Sequence, residues 1–117
     1  MDIERVDFAS VPTRDLQRAF AWYRDVLGLA PDRRGNLEVE ATNVTLSFWS
    51  PEADGEEFVT NVAGLALRVP DVAAARGELE EQGVEFNGET VDTGVCHMAF
   101  FTDPDGNTLI LHRRYAD

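Results

Sequence analysis

The chain has 117 residues, 44% of them hydrophobic, with 22 acidic and 10 basic side chains and a formal net charge of −12. That size suits one compact domain with an ordinary core, and that charge excludes the positive footprint by which proteins grip nucleic acid or anionic membranes. Every basic residue is an arginine, and the single cysteine, Cys96, excludes an intrachain disulfide and a multi-cysteine zinc site. No apolar run approaches the ~20 residues of a membrane span. The opening "MDIERVDFAS" lacks the basic start and apolar core of a signal peptide. A soluble, cytoplasmic protein with neither nucleic-acid nor membrane partner is the expectation.

An alternating strand comes first, ending near Ser10 and Val11. A helix over Asp15 to Leu27 follows, because Leu16, Ala19, Phe20, Tyr23, Val26 and Leu27 fall on one stripe. Thr13 or Asp15 can cap its start, and Gly28 suits its left-handed end. "LEVEAT" and "VTLSFWS", separated only by Asn43, read as a hairpin, and "EFVTNVAGLALRV" reads as the next strand. A second helix over Val72 to Gln82 buries Val72, Ala75 and Leu79, capped by Asp71 and ended by Gly83. "VEF", "VCHMAFFT" and "TLILHRR" complete the strands, with Asp103-Pro104-Asp105-Gly106 supplying the turn before the last.

The two halves repeat. Asp15-Leu16 corresponds to Asp71-Val72, and Gly28-Leu29 to Gly83-Val84, an offset of 55 to 56 residues. Two copies of one supersecondary unit, strand, helix, then three strands, follow.

The segments "RDLQRAFAWYRDVLGL", "VPDVAAARGELEEQGV" and "FFTDPDGNTLIL", together with the duplication, resemble the vicinal oxygen chelate superfamily, which includes glyoxalase I, extradiol dioxygenases and bleomycin-resistance proteins. The resemblance implies an α+β fold, two tandem βαβββ modules forming a curled mixed sheet around a cavity. Residues 1–117 would make one domain, with module 1 at about 1–58 and module 2 at about 59–117. It also implies a homodimer.

The superfamily's metal enzymes place four ligands on strands, and those positions match Phe8, Ser47, Gly64 and Ile110. Phe, Gly and Ile offer no side-chain donor and a serine hydroxyl is weak, so no metal and no other cofactor are expected. Relocated ligands could come only from His97, His112, Glu38 and Glu40. The resemblance puts those four positions on the inward face, and alternation extends the assignment along each strand. Val6, Phe8, Ser10, Thr45, Ser47, Trp49, Gly64, Ala66, Arg68, Thr108, Ile110 and His112 point inward, and Val44, Leu46, Phe48, Leu65, Leu67, Leu109 and Leu111 pack under helices. The resemblance also implies that Phe100 points inward, and hence Met98 and Cys96, which leaves His97 on the helix side unless a bulge rotates it. Glu38 and Glu40 face either inward or toward solvent.

The expected ligand-binding residues are therefore Phe8, Ser10, Thr45, Ser47, Trp49, Arg68, Met98, Phe100, Ile110 and His112. An aromatic pocket with a few polar groups suits a small organic molecule, aromatic or cationic, held without a metal as in bleomycin resistance. The alternative is a lyase or isomerase with His112 as general base and Arg68 stabilising an enolate-like anion, with or without a relocated metal.

Overall fold

The computed structural model describes all 117 residues, Met1–Asp117. Two compact units divide the chain, Met1–Thr60 and Asn61–Asp117. The first carries β1 (Phe8–Pro12), α1 (Leu16–Asp25), β2 (Ala30–Pro31), β3 (Glu38–Ala41) and β4 (Val44–Trp49). The second carries β5 (Leu65–Arg68), α2 (Val72–Glu81), β6 (Val91–Asp92), β7 (Cys96–Thr102) and β8 (Thr108–Arg114). The expected α+β class and the tandem βαβββ order are both present, as two open, mixed, four-stranded sheets.

In the first unit the strands lie in the order β1-β4-β3-β2, with β1 parallel to β4 and the other pairs antiparallel. Of the two candidate caps for α1, Asp15 takes the role. It is extended at φ −149°, and its carboxylate accepts the Arg18 N–H at 3.0 Å. The Thr13 hydroxyl accepts the Asp15 N–H at 3.0 Å, which braces the approach. Tyr23 and Ala19 of α1 are buried, and α1 packs on β3 and β4. There the Tyr23 ring meets Phe48 at 5.0 Å, and Val11, Val39 and Leu46 complete the buried layer.

The second unit repeats this plan as β5-β8-β7-β6, with β5 parallel to β8. Asp71, extended at φ −146°, accepts the Ala74 N–H at 3.0 Å. Gly28 and Gly83 close the two helices at φ 72° and 89°, a backbone region where a Cβ is unfavourable. Val72 and Leu79 of α2 lie buried with Ala99, Phe101, Leu109 and Leu111, and α2 packs on β8 and β7. The acidic turn is internally satisfied. The Asp103 carboxylate accepts the N–H groups of Asp105 and Asn107 at 2.9 and 3.0 Å and the Asn107 side-chain amide at 2.8 Å. The Asn107 side-chain Oδ1 accepts the Asn61 N–H at 2.8 Å.

Three segments depart from the pattern read along the chain. The strand expected over "EFVTNVAGLALRV" shortens to Leu65–Arg68, because Gly64 sits at φ 92° and breaks the pleat. "VEF" forms no strand; Phe86 makes only an isolated bridge to Phe101, and Val91–Asp92 pairs with β7 instead. β2 has only two residues, too short for any alternation to reveal.

Candidate functional site

Each sheet has one face under its helix and one face without a helix. On the first sheet the register pairs Phe8 with Thr45, Ser10 with Ser47, and Pro12 with Trp49. It also pairs Glu38 with Ser47 and Glu40 with Thr45. Residues directly opposite share a face, so Phe8, Ser10, Thr45, Ser47 and Trp49 lie together opposite α1, and Glu38 and Glu40 join them. Phe8 is 54% exposed and Trp49 39%. The Trp49 indole N–H donates to Asp54 at 2.8 Å, which holds the ring at the end of β4. The Thr45 hydroxyl lies 2.8 and 3.1 Å from the two Glu40 carboxylate oxygens. A concavity of about 320 Å³ opens here, lined by Arg5, Asp7, Phe8, Arg34, Glu38 and Thr45.

On the second sheet the register forms rows across β5, β8 and β7. One row holds Ala66, Ile110 and Phe100; the next holds Arg68, His112 and Met98; Arg114 and Cys96 follow. Arg68, Met98, Phe100, Ile110 and His112 therefore share the face opposite α2, while Leu109, Leu111, Ala99 and Phe101 are buried on the other side. Burial and register agree on this assignment without any adjustment. β7 carries no bulge, and His97 stays on the helix-side parity, paired with Arg113. Its ring stacks on Tyr115 at 4.6 Å and lies 3.4 Å from the Asp92 carboxylate.

The candidate relocated ligands do not converge within a unit. His97 and His112 sit on opposite faces of one sheet, and no group of three or more His, Cys, Asp or Glu side chains is placed to hold a metal ion. Of the four family positions, Gly64 is the most constrained. It precedes β5 instead of lying within it, in the left-handed region. A Cβ there would stand 3.0 Å from Thr108 Cγ2 and 3.3 Å from Ile110 Cδ1. Taken singly, Phe8, Gly64 and Ile110 have no side-chain donor for a divalent ion, and the Ser47 hydroxyl is a weak one.

Sequence reasoning missed several side chains. Arg5, Asp7 and Arg34 line the first-unit concavity from outside the strands, where alternation carries no information. The Arg114 guanidinium lies 3.9 Å from the Cys96 sulfur, 18 residues away in the chain. Buried Asp32 accepts the Asn36 N–H at 3.1 Å and faces Arg34 at 3.3 Å. Burial pushes its carboxyl up, but the Asn36 N–H and the Arg34 guanidinium outweigh that and hold it below the ordinary range.

A family model described as Glyoxalase/Bleomycin resistance protein/Dioxygenase superfamily matches residues 5–111. The chain belongs to this superfamily. Among solved structures, a superfamily member from Sphaerobacter thermophilus DSM 20745 is 24% identical with a TM-score of 0.78, over 94% of this chain and 97% of that one. TnmS3, an antibiotic binding protein from Streptomyces sp. CB03234, is 30% identical with a TM-score of 0.76, over 97% and 98%. A lactoylglutathione lyase from Agrobacterium tumefaciens is 16% identical with a TM-score of 0.75, over 95% and 94%, a likeness of fold alone. No curated protein matches the chain. Superfamily membership spans binding proteins and lyases, so the fold does not choose between them.

Proposed function

We propose that this superfamily member binds a small organic molecule without a metal ion, in the manner of the bleomycin-resistance proteins. One observation carries the reading: the positions aligned with the superfamily's metal ligands hold Phe8, Ser47, Gly64 and Ile110, and Gly64 has no side chain and a left-handed backbone that strains any replacement. On the first sheet's open face Phe8 and Trp49 supply contact area and Ser10, Thr45 and Ser47 polar handles; on the second sheet's, Met98, Phe100 and Ile110 supply contact area and Arg68 and His112 polar handles. Glu38 and Glu40 on the first sheet's face support the cationic part of the expected ligand class. The 30% identity to an antibiotic binding protein supports sequestration as the mode of action.

One observation favours the second reading, a lyase or isomerase. Arg68 and His112 are register partners on one face, as a base beside an anion stabiliser requires. Homodimerisation and a cytoplasmic location, which no helix long and apolar enough to cross a membrane opposes, belong to the same proposal.

The test is a thermal-shift screen of cationic antibiotics and aromatic metabolites, run before and after exhaustive chelation with elemental analysis of the protein. The expected result is stabilisation by at least one compound that survives chelation. A stoichiometric transition metal whose removal abolishes every shift would overturn metal independence. His112→Ala that abolishes turnover of a compound but spares its binding would establish the enzyme reading.

A further inference from the structure

Charge is sorted between sheet faces in a way the net charge conceals. On the open face of the first sheet the ionisable strand residues are Glu38 and Glu40, both acidic. On the open face of the second sheet they are Arg68, His112 and Arg114, all basic apart from the Cys96 thiol beside Arg114. That unit contains ten carboxylate residues, yet none lies among the strand positions of this face; Asp92 of β6 pairs with His97, on the opposite side.

Two of these basic groups are free to act. Arg68 makes no ion pair and no side-chain hydrogen bond, although most arginines of this acid-rich chain do, and His112 makes none through its ring. Arg68 is exposed and His112 half-buried. They are neighbours across the parallel β5–β8 pair, so their backbones stand ~4.8 Å apart. One pleat along, a step of roughly 6.6 Å, lies the apolar row Ala66, Ile110 and Phe100.

We infer that the open face of the second sheet recognises the anionic group of a planar, apolar organic acid. The Arg68 fork takes both oxygens of a carboxylate or two of a sulfonate. His112 adds one N–H, which a neutral imidazole already possesses. The hydrocarbon body lies over Ile110 and Phe100, one pleat away, as a bicyclic aromatic acid can. The chain's net −12 charge does not defeat this, because fields from charges farther than about 8–10 Å are screened at physiological salt. Contact energy is therefore set by the local face.

The inference rests on the proposed small-molecule function and, for the second sheet's face, assigns an anionic ligand in place of the cationic one that Glu38 and Glu40 support on the first. It is tested by titrating the full chain with three probes of one shape: 2-naphthoate, neutral 2-naphthamide and cationic 2-naphthylmethylammonium. Affinity is read by calorimetry and location by amide chemical shifts. The expected result is a preference for naphthoate, with perturbations at Ala66, Phe100 and Ile110. Arg68→Gln and His112→Gln should each weaken naphthoate, Arg68→Gln by roughly tenfold to a hundredfold, while Arg76→Gln, on the helix that covers the other face of this sheet, leaves it unchanged. Circular dichroism verifies that each variant is folded. Equal or tighter binding of the amide or the cation, with no effect of Arg68→Gln, overturns the anion assignment and leaves the small-molecule function standing. Absence of any perturbation by all three probes overturns both. A change of sedimentation with Arg68→Gln, in place of a change in probe affinity, assigns the face to a contact between copies and overturns the inference.

Discussion

Asp92 shows how much one surface carboxylate can organise. It accepts the Gly94 N–H at 2.9 Å and the Tyr115 hydroxyl at 2.8 Å, and it faces His97 at 3.4 Å. The Gly94 N–H and then the Tyr115 hydroxyl hold its carboxyl below the ordinary 3.8, against an upward push from burial, with His97 adding a smaller downward pull. The same hydrogen bond, with burial and the Asp92 charge added, raises the Tyr115 phenol above its ordinary 10.0. A depressed carboxyl stabilises the fold above its unfolded pKa, and that contribution is lost as pH falls through the lower folded value. A raised phenol stabilises the fold below its unfolded pKa and is lost as pH rises through the higher folded value. The difference in denaturation midpoint between the native chain and Tyr115→Phe should therefore be present between about pH 4 and pH 10 and vanish at both ends. A difference independent of pH would show that the hydroxyl stabilises the fold otherwise than through its bond to the Asp92 carboxylate.

At the scale of elements, the two helices start alike and end differently. Both N-caps were readable, because an aspartate before an apolar-periodic run satisfies an otherwise unpaired N–H. The last turn of α1 carries Arg24, whereas the last turn of α2 has no basic residue and ends in Glu80 and Glu81. Carboxylates there face the negative end of the helix dipole. Glu80 is partly compensated by Arg76 at 3.5 Å, but Glu81 is exposed and has no partner. Glu81→Lys should therefore stabilise the chain by about 0.3–1 kcal/mol, seen as a higher urea midpoint with unchanged slope. Strands were readable in proportion to their length. β4, β7 and β8 have six or seven residues and show alternation, while the two-residue β2 and β6 show none.

At the scale of the whole molecule, each unit builds its own buried layer while the chain carries 22 acidic against 10 basic residues. Self-repulsion of that charge opposes the folded state, and salt relieves it by shortening the screening length from about 30 Å at 0.01 M to about 8 Å at 0.15 M. The melting temperature should rise with sodium chloride over that range in calorimetry. A fall would show that exposed ion pairs such as Arg24–Asp25, at 2.7 Å, outweigh the repulsion.

The resemblance supplied the α+β class and the inward side of each sheet, while periodicity, caps and duplication by themselves determined two copies of a unit of strand, helix and three strands. That unit is a local property, written in alternation and in helical spacing. Alternation, with the inward side taken from the resemblance, grouped Phe8, Ser10, Thr45, Ser47 and Trp49 with Arg68, Met98, Phe100, Ile110 and His112 as one inward-facing set, and the register puts each five on one face of its own sheet. Only the tertiary structure decided that Glu38 and Glu40 join the first face, that Gly64 leaves the strand, and that Arg114 meets Cys96. Pairing register and backbone handedness bring together residues far apart in the chain, and a linear pattern does not encode which strand lies opposite which.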